Sequence, residues 1–117
     1  MITRCTTPTH RFTLWFEPPQ GSSFCIVYAQ GEINKEEVLF ECCGERITLD
    51  GNRLLVTLTD EETAKFDCTP VWVNGKLAPL PIAIQVGVQT LGGQKLWGDI
   101  IYTTVGRCLK KDGVING

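Results

Sequence analysis

No apolar run in this chain approaches the roughly 18 residues that a membrane-crossing helix needs, and residues 1–10 are polar where a signal peptide would carry its apolar core. The expectation is a protein with no membrane partner, kept in a reducing cytosol and not exported by a signal peptide. Histidine occurs once, at His10, so no His-rich metal set and no second catalytic imidazole exist. The six cysteines, Cys5, Cys25, Cys42, Cys43, Cys68 and Cys108, contain no C-x-x-C pair of the kind structural zinc prefers. In a reducing compartment free thiols are the default. Cys25 then reads as a small buried hydrophobe, and Cys42 and Cys43 as neighbours on opposite faces of a strand. No metal and no cofactor is expected. A G-x-S-x-G elbow is missing too. Basic residues are scattered apart from Lys110 and Lys111, and the net charge is −2, which argues against nucleic acid as a partner.

What the chain does have is β-patterned sequence. At 117 residues, with 43% hydrophobic and 21% charged residues, it has the size and composition of one globular domain. Ile82, Ile84, Val86 and Val88 alternate with Ala83, Gln85, Gly87 and Gln89, the period of a strand with one buried face, and a long strand is expected over 81–90. Further strands are expected over 10–16, 23–30, 37–42, 46–49, 53–59 and 95–105. The run 23–30 is apolar on both faces, as a central strand would be. Asp50-Gly51 between two runs signals a type I′ hairpin. Thr59 to Glu62 matches the S/T-x-x-E capping box, which predicts a short helical crossover over 60–66 with Phe66 in the core. The segment 72–81 reads as a loop turning at Asn74-Gly75. Seven strands and one short crossover point to an all-β fold, an immunoglobulin-like antiparallel β-sandwich over residues 1–106, followed by a tail over 107–117. No internal repeat or linker is visible.

The closing hairpin poses a register problem. A two-residue turn at Gly92-Gly93 would set Asp99 opposite Val86 and Trp97 opposite Val88, leaving a carboxylate in the core at a cost of several kcal/mol. A one-residue slip, or a bulge at Gly98, turns Asp99 to solvent but strands apolar side chains outside. Trp97, Ile101 and Val105 are therefore the candidate interface, and protein partners, including self-association through the sheet that holds the last strand, are expected.

Reactive constellations are sparse. His10 with a cysteine elsewhere lacks any activating context for a nucleophile and base. Asp60, Glu61 and Glu62 are accounted for by helix capping and dipole rather than by a glycosidase pair or a calcium loop. Gly92-Gly93 has no following helix to bind phosphate. Trp15, Trp72 and Trp97 offer aromatic platforms for a sugar, with core or interface packing as the competing use. A non-enzymatic protein acting through protein contacts is expected, with a small carbohydrate-binding module as the alternative.

The opening Thr3-Arg4-Cys5-Thr6-Thr7-Pro8-Thr9-His10, the run Ile26-Val27-Tyr28-Ala29-Gln30-Gly31, and the closing Asp99-Ile100-Ile101 with Arg107-Cys108-Leu109 resemble a family of small uncharacterised proteins of phages and prophages in Gram-positive gut bacteria. At fold level the pattern is also similar to the immunoglobulin-like N-terminal domain of phage baseplate proteins. The resemblance implies a structural or adaptor role, in a phage tail or baseplate, with the protein made in the cytoplasm of a bacterial host and assembled into a virion, and it carries no catalytic motif.

Overall fold

Chain reversals at glycines and asparagines divide the sequence into short strands, and the computed structural model describes residues 1–108 of them. In chain order the strands are β1 (Ile2–Thr3), β2 (Thr9–Thr13), β3 (Ser23–Gln30), β4 (Glu37–Cys43), β5 (Ile47–Asp50) and β6 (Arg53–Thr57), followed by helix α1 (Asp60–Thr63). Then come β7 (Pro70–Val73), β8 (Lys76–Pro79), β9 (Ile82–Gln89), β10 (Lys95–Trp97), β11 (Ile101–Thr103) and β12 (Val105–Gly106).

The fold is all-β. The larger sheet runs β10-β9-β3-β4, with β11 sharing the same edge of β9 as β10, and the smaller runs β2-β6-β5. Lettered as in an immunoglobulin domain, β2, β6 and β5 stand where strands B, E and D stand, and β10/β11, β9, β3 and β4 where G, F, C and C′ stand. That is the order of a variable-type sandwich. Its core is made by alternation: Ile26 and Tyr28 on β3, Phe40 and Cys42 on β4, and Ile82, Ile84, Val86 and Val88 on β9 face Ile47, Leu54 and Val56 of the smaller sheet. Tyr28 stacks on Phe40 with ring centroids 4.8 Å apart, and Phe66 closes the cluster 5.5 Å from Phe40. Such aromatic pairs add about 0.5–1.5 kcal/mol each beyond area burial.

The crossover forms as its capping box requires. Thr59 accepts from the Glu62 backbone N–H, and Glu62 accepts from the Thr59 backbone N–H in return. The helix is shorter than the expected 60–66, ending at Thr63, yet Phe66 is fully buried as expected. The turn after β5 differs in type. Asp50 pairs with Arg53, and only Gly51 of the two loop residues has positive φ, which is type II′ rather than I′.

Two segments depart further from expectation. Residues 72–81 are no loop: β7 and β8 form a hairpin around Asn74 (φ 51) and Gly75 (φ 77), a type I′ turn. Among the described residues it pairs with no other strand, and it stands as an arm from the sandwich. The last strand is broken into three. Thr90 accepts from the Gly93 N–H and donates its own N–H to Gln94, so the turn holds three residues with Gly93 at positive φ, not two. Trp97 consequently faces Gly87 instead of Val88. Between Trp97 and Ile101 the register then slips by one, so that Ile101 faces Ile84. Asp99 stays exposed. Finally β12 pairs in parallel with β1, and the tail expected from 107 lies, beyond residue 108, outside the described residues.

Candidate functional site

The outward face of the larger sheet carries a cavity and a cluster of Cys and Glu side chains. Because β3 and β9 are apolar inward, their odd-numbered residues Cys25, Val27, Ala29, Ala83, Gln85 and Gly87 point away from the core. Small residues at its centre make that face shallow. Trp97 lies across Gly87 so closely that a Cβ there would sit 2.5 Å from the indole. Half of Trp97 remains exposed (52%). Beside it opens a cavity of about 420 Å³, walled by Ser23, Glu41, Gln89, Lys95, Trp97 and the Cys25/Cys43 pair. At the far end of the same face Tyr102 donates its hydroxyl to Glu36 at 3.0 Å. Hydrogen bonds from the Glu36 backbone N–H and then from Tyr102 hold the Glu36 carboxyl below its ordinary range, and Tyr102 is correspondingly raised by its bond to Glu36.

Cys25 and Cys43 are joined in a disulfide, which corrects the expectation of free thiols throughout. The physical reason is pairing. The two residues lie 18 apart in sequence but directly opposite on β3 and β4, with Cα atoms 4.3 Å apart, close to the spacing of a non-hydrogen-bonded antiparallel pair. The bridge lies within one sheet, not between the two. Cys5, Cys42, Cys68 and Cys108 are free. Cys42, next to Cys43 but on the inward face, is buried, and burial first and the Glu62 carboxylate second push its thiol up to about 11. Such a thiol is a weak nucleophile at neutral pH.

His10 is placed under the core. Its Nδ1 meets the Tyr28 hydroxyl at 2.7 Å, and burial, with the N-terminal charge, lowers its pKa. Burial raises Tyr28 in turn. The imidazole thus satisfies a buried phenol.

Of the expected interface residues, Trp97, Ile101 and Val105, the structure brings no two onto one patch. Trp97 faces outward, whereas the register slip turns Ile101 to the core side, at the open edge between the sheets. There Ile101 (48% exposed) lines a cavity of about 270 Å³ with Phe12, Leu14 and Trp15. Val105 is a correction: it is 6% exposed and paired with Ile2, because the parallel contact with β1 covers it. The tryptophans are likewise separate. Trp15 lies against Gly98 at the sheet-to-sheet edge, 57% exposed, and Trp72 lies on the arm, 75% exposed. On β7 and β8 Trp72 opposes Leu77, itself 56% exposed, so the arm carries a paired apolar knob.

Sequence reading missed how that arm is held. Gln30, 9% exposed at the end of β3, donates to the carbonyls of Asp67 and Leu80 at 2.7 and 2.9 Å and accepts from the Asp67 N–H at 2.7 Å. One side chain therefore pins both roots of the hairpin. A buried-looking glutamine at the end of an apolar strand was the available signal. No protein-family model matches the chain, and no curated protein matches it significantly.

Proposed function

We propose that the protein is a non-enzymatic structural or adaptor component, of the phage tail or baseplate type, that works by binding other protein surfaces. One observation carries the reading: all three tryptophans are more than half exposed. Tryptophan is among the residues whose burial in an interface contributes most to affinity, and exposing three of them has a cost in solubility that partner burial removes. Trp72 with Leu77 forms the foremost anchor, since the arm projects it and Gln30 fixes its base. The test is sedimentation velocity on the wild type over a wide concentration range, alone and with proteins captured from a prophage-induced host. Wild type enters a larger species, and Trp72→Ala with Leu77→Ala, correctly folded by circular dichroism, does not. Strictly monomeric behaviour in every mixture sinks the reading.

A second reading has its own support. The cavity beside Trp97 combines an aromatic face with Ser23, Glu41, Gln89 and Lys95, the mixture that a small carbohydrate-binding module uses. Saturable quenching of Trp97 by an oligosaccharide, lost on Trp97→Ala while Trp72→Ala retains it, separates this function from protein binding.

A further inference from the structure

We infer that the Cys25–Cys43 pair, once reduced, forms with Glu41 a thiol-gated binding site for a divalent, thiolate-seeking metal ion of the zinc class. The donor atoms of Cys25, Cys43 and Glu41 all lie within 4.8 Å of one another, the one such cluster among the described residues. Topology puts them there. Glu41 and Cys43 are two residues apart on β4 and so share its outward face, while Cys25 faces Cys43 across the β3–β4 ladder. Thiolate sulfurs bind zinc at about 2.3 Å and a carboxylate oxygen at about 2.1 Å, so ligands on one tetrahedral ion stand about 3.5 Å apart. Partly exposed side chains on a solvent-facing surface reach that spacing by rotation about χ1.

Oxidation state gates the site, because a disulfide offers no thiolate. Reduction by a low-molecular-weight thiol proceeds through thiol–disulfide exchange. Two reductant thiols become one disulfide, and the two electrons and two protons they give up convert Cys25 and Cys43 to thiols. Metal binding then displaces both thiol protons to solvent and leaves the ion held by two sulfurs and one oxygen. All three residues also line the 420 Å³ cavity, so the fourth coordination position opens toward Trp97 and Lys95. Three protein ligands with an open position is the arrangement that leaves room for water or an exogenous ligand. No sequence-local motif announces this set, since the sulfurs come from different strands.

The test uses the full chain, reduced by a water-soluble phosphine under anaerobic conditions and titrated with Co²⁺ alone as a spectroscopic probe. One Co²⁺ per chain binds, with a thiolate-to-cobalt charge-transfer band that Zn²⁺ abolishes by displacement. The disulfide form of the same protein shows no band. Cys25→Ser and Cys43→Ser each remove or halve the band, Glu41→Gln weakens Co²⁺ binding at least about tenfold, and Cys68→Ser leaves both unchanged. A band in the oxidised protein, a band indifferent to Cys43→Ser, or no band at saturating Co²⁺ in the reduced wild type overturns the assignment. The oxidised-against-reduced comparison needs no substitution, so it stands even where a serine variant fails to fold.

Discussion

Glu62→Gln tests the electrostatics that tie the helical crossover to Arg46 in the turn between β4 and β5. The Glu62 carboxylate accepts both terminal nitrogens of Arg46 at 2.6 Å and the Thr59 backbone N–H at 2.9 Å. Arg46 first, then Thr59, hold its carboxyl at about 2 against an ordinary 4.5, with burial opposing them. Each decade of altered proton affinity corresponds to about 1.4 kcal/mol, which sets a ceiling of about 3.5 kcal/mol. Glu62 is only 13% exposed, but Arg46 at 38% is screened by water, and the realised contribution is about 1–2 kcal/mol. The folded carboxyl binds its proton less tightly than the unfolded one, so the contribution is complete above about pH 4.5 and is lost as pH falls toward 2. Glutamine at this position keeps the cap on Thr59 but presents one acceptor to the guanidinium and turns an amide donor toward it. Urea unfolding followed by circular dichroism should show the variant less stable by about 1–2 kcal/mol near pH 7, with the gap closing near pH 2.5. A gap of equal size at both pH values, or none at either, refutes the argument.

Gly87→Ala drives a methyl into the Trp97 indole. In a Trp15→Phe, Trp72→Phe background the emission of Trp97 should shift to the red as the ring leaves the sheet, while stability changes by less than about 1 kcal/mol because only an edge side chain moves; unaltered emission contradicts the contact. Gln30→Met removes the three hydrogen bonds that pin Asp67 and Leu80 and should cost about 1–3 kcal/mol, with limited proteolysis within 67–80 accelerated. Unchanged cleavage there means the arm is held by something else. Phe66→Ala empties the space beside Tyr28 and Phe40 and should cost about 3–5 kcal/mol in urea unfolding. A loss below about 1 kcal/mol contradicts its burial.

The strands that were legible in sequence are those whose periodicity is enforced by the core. Ile82, Ile84, Val86 and Val88 alternate because each is inward, and the residues 23–30 and 37–43 are bounded by turns that cannot continue a ladder. The capping box was legible because both of its hydrogen bonds are local. The arm was not. Its prolines, Pro70 and Pro79, oppose each other at the open end of an isolated hairpin, where a missing N–H disrupts no larger sheet, so they did not break the strands as they would have in a central position. The site was least legible of all. One extra residue in the 90–94 turn and one slip after Trp97 decide which side chains face outward, and neither leaves a compositional trace. Cys25, Glu41 and Cys43 meet through a ladder register that spacing along the chain does not encode.

The parallel contact of β1 with β12 also determines how the domain would carry load. The hydrogen bonds that flank it, Ile2 N–H to Thr104 and Arg4 N–H to Gly106, both 2.8 Å, lie side by side across strands that run in the same direction. A pull on residue 1 against residue 108 slides these strands past one another and strains both bonds together. A hairpin pulled from its open end instead unzips one bond at a time. With Ile2 and Val105 buried beneath the clamp, separation also has to wet the core, so tension along the chain meets its resistance at the first strand rather than spreading through the sandwich.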